Sequence, residues 1–141
     1  MTRWTVAASA CWLALVFTGC SSSNRGTEVN LSPEEEAIVH VGLAYREASN
    51  ALKRVPKGVE ELKPYLKKYG DPDQVLISPN DGQRYHIVWG DVATRPTKGA
   101  QLQPFLVYEE TGNNGRRYAV DIRLKVYHLT DSEFSQMQGG K

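Results

Sequence analysis

The chain changes its hydrophobic period once, near Asp73, and that change decides most of what it can fold into. Upstream, Ile38, Val41, Tyr45, Ala48, Leu52 and Val55 recur at alternating steps of three and four, an apolar stripe along a helix of about six turns. Downstream, Tyr118, Val120, Ile122, Leu124 and Val126 alternate with Asp121, Arg123 and Lys125, the period of an antiparallel strand with one buried and one wet face. A striped helix followed by strands must bury its stripe against the sheet. The expected class is therefore α+β: a long N-terminal helix packed on a three- to four-stranded antiparallel sheet, in two layers.

Local signals place the boundaries. Ser32-Pro33-Glu34-Glu35 has a capping serine, proline at the first helical position and the acid of a capping box. Pro56 and Gly58 stop that helix near Arg54. A second helical segment runs from Val59 to about Tyr69, with a kink or a break into consecutive turns expected at Pro64, and Gly70-Asp71-Pro72-Asp73 closes it. Strands follow at Gln74–Ile77, Arg84–Trp89, Phe105–Glu109 and Tyr118–His128. The first two are joined by the turn Ser78-Pro79-Asn80-Asp81-Gly82, and the last two by Thr111-Gly112-Asn113-Asn114-Gly115. Residues 91–103 are a long excursion between the second and third strands. Thr130-Asp131-Ser132-Glu133-Phe134 reads as a capped terminal turn, with residues 136–141 frayed.

Ahead of Ser32, Arg3 precedes an uncharged run from Trp4 to Phe17, and Phe17-Thr18-Gly19-Cys20 follows. A basic start, an apolar stretch of about 14 residues and small residues before a cleavage point mark a secretory signal peptide. A membrane span would need roughly 20 apolar residues, and this run is broken by Thr5, Ser9 and Thr18. The ending resembles the lipobox of bacterial lipoproteins, with Phe17 where leucine is commoner. The resemblance implies cleavage before Cys20, a diacylglycerol on its thiol and a membrane anchor; Ser21, rather than aspartate, implies the outer membrane over the inner. Residues 1–19 are then the signal peptide, 20–31 the lipidated cysteine and a polar tether, 32–136 the domain and 137–141 a disordered tail. A tether of this length spans about 18 Å, from roughly 5–6 Å × √n for a flexible coil.

Cleavage would remove Arg3 and Cys11, leaving 16 basic against 16 acidic residues in a mature chain of 122 residues. Such a balance gives no field to draw in nucleic acid. With only Cys20 left there is no disulfide framework, so a packed core must hold the fold.

The order of elements, Val59-Glu60-Glu61-Leu62-Lys63-Pro64-Tyr65-Leu66, the Ser78–Gly82 turn and the closing Leu129-Thr130-Asp131-Ser132-Glu133-Phe134 together resemble the soluble domain of pseudopilins, closest to the major subunit type of type II secretion systems. The resemblance covers roughly residues 33–135 and implies a pilin-like fold. Assembling pilins continue the first helix backwards into an apolar half that forms the fibre core. Here a lipobox and a polar tether stand in that place, so conventional fibre assembly is not implied.

Major pseudopilins commonly bind calcium in a loop near their C-terminal strands. The loop oxygens available for calcium, which takes six to eight oxygen ligands, are Asp71, Asp73, Asn80 and Asp81, or Glu109, Glu110, Asn113 and Asn114. Neither set matches the family motif, and turn formation is the plainer reading. His40, His86 and His128 lack metal-ligand spacing. There is no Gly-x-Ser-x-Gly elbow, and Glu60-Glu61 and Glu109-Glu110, being adjacent, point apart as solvated charges. No cofactor is implied. Lys53, Arg54, Lys57, Lys63, Lys67 and Lys68 form a basic region diluted by Glu47, Glu60 and Glu61. Tyr108 and Tyr127 fall on the polar side of their strands and are the contact points for a partner. The expected function is a lipid-anchored envelope protein, a non-catalytic protein-binding or structural module; the alternative is a small envelope hydrolase or glycan-active enzyme built from dispersed polar residues.

Overall fold

A computed structural model describes residues 30–90 and 105–138. The segments expected as signal peptide, most of the tether with Cys20, the 91–103 excursion, and residues 139–141 lie outside the described residues. The elements are α1 (Pro33–Leu52), α2 (Val59–Leu66), α3 (Pro72–Val75), β1 (His86–Ile87), β2 (Phe105–Tyr108), β3 (Arg116–Asp121), β4 (Val126–Thr130) and α4 (Asp131–Gln138). The strands form one antiparallel sheet in the order β1-β2-β3-β4. The class is α+β.

Helix α1 starts where its capping box dictates. Ser32 Oγ accepts from Glu35 N at 3.2 Å, and Glu35 Oε2 accepts from Ser32 N at 2.8 Å, which satisfies two of the donors that a helix start leaves open. Its stripe is buried through Ile38, Val41, Tyr45 and Ala48, while Leu52 is half-buried. Lys53, in the left-handed region at φ 56°, ends it. The α1–α2 corner is clamped by Glu61, which accepts two bonds from the Arg54 guanidinium, at 2.8 and 2.9 Å, and one from Lys57 N at 3.0 Å. Those bonds, the Arg54 pair foremost, hold the Glu61 carboxyl down to about 2. Helix α2 buries Leu62 and Leu66 and stops at Leu66, two residues beyond Pro64, rather than reaching Tyr69. Pro64 offers no N–H to the Glu60 carbonyl, so the segment has one bond fewer to extend it.

Three expectations are corrected by the structure. The strand expected at Gln74–Ile77 is the short helix α3. Asp71 caps it, with Oδ1 accepting from Asp73 N at 2.9 Å, and Pro72 takes the first helical position. Only Ile77 retains strand character, in a single bridge to Arg84, and the next strand contracts to His86–Ile87. The continuous strand expected at Tyr118–His128 is a hairpin, β3 and β4, folded at residues 122–125. Asp121 makes the fold: Oδ1 accepts from Arg123 N at 2.8 Å and Lys125 N at 3.0 Å, and Oδ2 accepts from the Tyr127 hydroxyl at 3.1 Å. A short carboxylate that bonds its own downstream backbone turns a chain that alternation alone would leave straight. Leu124 takes the left-handed region at φ 65° and packs on α1 at Gly42, where an added Cβ would lie 2.8 Å from Leu124 Cδ2.

The third correction concerns the sheet face expected to be wet. It is covered by α4, so the described residues form three layers. Ile87, Leu106, Val107 and Val120 join α1 and α2 in the main core. Phe105, Ala119, Leu129 and Phe134 form a second one. A bulge in β2, where Phe105 pairs with Asp121 and Val107 with Val120, lets Phe105 serve the second core while Leu106 and Val107 both serve the first. Helix α4 starts on a copy of the α1 device: Thr130 Oγ1 accepts from Glu133 N at 3.3 Å and Glu133 Oε2 accepts from Thr130 N at 2.8 Å. The helix runs to Gln138, beyond the boundary expected at residue 136.

Candidate functional site

The densest polar arrangement among the described residues joins the turn after α3 to the β2–β3 loop. Gly82 N donates to Ser78 O at 2.9 Å and Ser78 N to Gln83 O at 2.8 Å, closing the turn on itself with Gly82 at φ 68°. This places Ser78, Asn80 and Asp81 against the end of β2. Ser78 Oγ donates to Glu109 Oε1, Asn80 Nδ2 donates to Glu109 Oε2 at 2.8 Å, and Tyr118 N donates to the same oxygen at 2.7 Å. Asp81 completes the seam. Its Oδ1 accepts from Gln83 N at 2.9 Å, and its Oδ2 from Gly112 N at 2.8 Å and Thr111 N at 3.3 Å. Gly112 is obligatory there, because a Cβ would lie 2.2 Å from Arg116 O.

Burial decides what this knot can do. Ser78 and Glu109 are each 1% exposed. Both carboxylate oxygens are engaged, as a buried charge requires, and the Ser78 hydroxyl also accepts from Asn80 N at 3.1 Å. A serine beside a carboxylate is a nucleophile only when a substrate can reach it. This one is sealed, and it holds two loops in register. Among the described residues the buried Tyr85 hydroxyl has no hydrogen-bond partner. Burial pushes its proton affinity well above the ordinary phenol value, and the Glu109 and Asp81 charges add to that, so Tyr85 stays neutral.

The sequence divides the candidate calcium oxygens into two sets, whereas the structure brings Asn80 from one set to Glu109 from the other and Asp81 to the Thr111 and Gly112 backbone. It leaves the remaining members apart. Asp71 caps α3, Asp73 lies 3.8 Å from Lys63 Nζ, and Glu110 lies 3.7 Å from His86 Nδ1. Among the described residues no three histidine, cysteine, aspartate or glutamate side chains converge as metal ligands. The histidines are dispersed, each stacked on a different tyrosine: His40 on Tyr69 at 4.2 Å, His86 on Tyr108 at 4.5 Å and His128 on Tyr118 at 4.4 Å. In the basic region, Arg54 pairs with Glu61, Lys63 with Glu60 at 2.9 Å, and Lys68 with Glu47.

Tyr108 and Tyr127 are half-buried under α4. Tyr108 meets the Phe134 ring edge-on at 5.0 Å, and Tyr127 meets Phe105 edge-on at 5.5 Å. Arg117 is a residue that sequence reasoning missed. Its guanidinium lies 4.4 Å over the Phe134 ring, donates to Glu110 O at 2.6 Å and pairs with Asp131 at 2.5 Å, tying the β2–β3 loop to α4. Glu109 was also missed as a buried group. Alternation from Val107 gives the signal, since it puts residue 109 on the α1 side and Glu110 outside.

Among the described residues no helix is long and apolar enough to cross a membrane. Compared with family descriptions, with curated proteins and with solved structures, the chain matches none.

Proposed function

We propose that this chain is an exported lipoprotein, acylated at Cys20 and held at the outer membrane, whose domain has a pilin-like fold and acts by contact with an envelope protein partner without catalysis. The observation that carries the reading is the reciprocal capping box at Ser32 and Glu35. A helix that begins with both box bonds made, and with proline at its first position, does not run back into an apolar half. The polar stretch from Ser21 to Asn30 then connects α1 to the lipobox as a tether. In a pilin that place belongs to the fibre-forming helix, so a domain with this start works singly. The polar groups that catalysis would draw on are spent in the Glu109 seam and the Asp121 turn.

Two measurements test the reading. Cys20→Ser is expected to abolish incorporation of labelled fatty acid and to leave the precursor uncut at that site; a variant still labelled and membrane-bound would sink the anchor. Affinity purification from detergent-solubilised membranes is expected to recover one stoichiometric envelope protein. A preparation clean of partners, together with turnover of an ester or glycan substrate, would favour the hydrolase.

A further inference from the structure

We infer that Asn114 is a site of spontaneous backbone modification, converting to aspartate and to β-linked aspartate, and that the chemically similar Asp81 is protected by the fold. The inference is independent of the proposed anchor and partner.

Two sequence positions carry the dipeptide that allows this chemistry, Asp81-Gly82 and Asn114-Gly115. In each, the glycine nitrogen can attack the preceding side-chain carbonyl carbon, because glycine has no Cβ to obstruct the approach. At Asn114 the Gly115 nitrogen gives up its proton to solvent base and forms a bond to Asn114 Cγ. The Cγ–Nδ2 bond breaks, ammonia leaves, and a five-membered cyclic imide remains. Water then opens the imide at either carbonyl. One opening gives aspartate; the other routes the backbone through Cγ and inserts an extra methylene. Solvent water is the only co-reactant.

The fold treats the two positions oppositely. At Asp81 both partners are occupied: Gly82 N donates to Ser78 O at 2.9 Å, and the carboxylate holds the backbone N–H groups of Gln83, Thr111 and Gly112. Ring closure there requires the seam with the β2–β3 loop to open. Asn114 and Gly115 are exposed and form the centre of a two-residue turn, at φ 52° and 70°. These left-handed values define a type I′ turn, for which Asn-Gly is the preferred pair. The bonds that close it, Asn113 N to Arg116 O at 2.7 Å and Arg116 N to Asn113 O at 3.0 Å, lie outside the reacting pair. Among the described residues neither the Asn114 amide nor the Gly115 N–H has a hydrogen-bond partner, and nothing lies within 4 Å of a Cβ built at Gly115. The reactive rotation is thus confined to two solvated residues. Its β-linked product lengthens a turn that has no spare length, so the Asn113–Arg116 bridge opens.

The test is incubation of the full chain in detergent at mildly alkaline pH, with peptide mapping by mass spectrometry and enzymatic detection of β-linked aspartate. Expected is conversion at Asn114 within an order of magnitude of the rate in the same chain unfolded in urea, with Asp81, followed in parallel at mildly acidic pH where a carboxyl can be protonated and lose water on ring closure, unchanged until urea is added. Asn114→Gly keeps the left-handed turn and removes the amide, and should abolish the product without altering the circular dichroism. A folded chain that retains Asn114 while the unfolded chain converts would overturn the inference, as would equal conversion at Asp81 and Asn114 in the folded state.

Discussion

The two faces of the sheet are built by opposite means. The α1 face is covered by a 20-residue helix whose stripe supplies Ile38, Val41, Ala44, Tyr45 and Ala48, all 2% exposed or less. The α4 face is covered by an eight-residue helix that inserts one fully committed side chain, Phe134, among Phe105, Ala119, Tyr108 and Tyr127. Coverage on the first face is spread over many contacts, so no single residue is the hinge of it. On the second face it passes through one ring, held by aromatic neighbours and by the Arg117 guanidinium. The first face should therefore unfold with the domain, and the second should be able to open alone.

The comparison breaks first at its strong side. Leu106→Ala removes a side chain 1% exposed in the main core, and a loss of about 2–5 kcal/mol is expected for such a truncation. Chemical denaturation should show it as one cooperative shift of every probe, α4 included. Next is the Glu109 seam. Glu109→Gln keeps the volume but replaces an acceptor with a donor opposite Ser78 Oγ, or opposite Asn80 Nδ2 and Tyr118 N, and an unmatched buried donor costs about 1–3 kcal/mol. The same equilibrium curve reports it, and loss of amide protection at Gly112 would place it at the seam.

Phe134→Ala tests the weak side. Removing a buried phenylalanine from a core usually costs about 3–5 kcal/mol. Here the loss is bounded by the undocking of α4, and about 1–2 kcal/mol is expected, read as exchange protection lost over Asp131–Gln138 with α1 unchanged. A loss equal to that of Leu106→Ala, shared by all probes, would show that the two faces are one cooperative unit.

The same contrast governs how far the sequence could be read. The α1 stripe repeats over many residues and survives any single exception, so the helix, its capping box and its buried face are all legible. The second face has no such redundancy. It rests on a bulge that puts Leu106 and Val107 on one side and Phe105 on the other, and on the turn at Asp121, where Ile122 and Leu124 continue the apolar alternation through a reversal of direction. An unbroken period of two cannot report that reversal; the one local clue is Asp121 itself, an acid poorly suited to a strand interior. Glu109 is hidden for a related reason. Alternation from Val107 turns it inward, but the partners that make a buried acid tolerable, Ser78 and Asn80, arrive from a turn about thirty residues earlier, and that partnership leaves no periodic trace.

Acidification probes the α4 face most finely, because the acid of its capping box, Glu133, is held low. Glu133 is held below the ordinary carboxylate range by the Thr130 N–H and then by its hydroxyl, with Arg116 adding a smaller attraction. A carboxylate depressed in the folded state stabilises it above the unfolded value, and that contribution is lost as pH falls through the folded one. As pH drops below about 4.5, the ordinary carboxylate value, the α4 start should weaken progressively. Glu133 is exposed, so the effect is small and appears as fraying of the helix start. Nuclear magnetic resonance shifts of the Phe134 ring should move before any global transition, and Glu133→Gln should remove the pH dependence. If the Phe134 signals change only together with those of Tyr45, the α4 face has no separate opening and the contrast between the two faces fails at its most sensitive point.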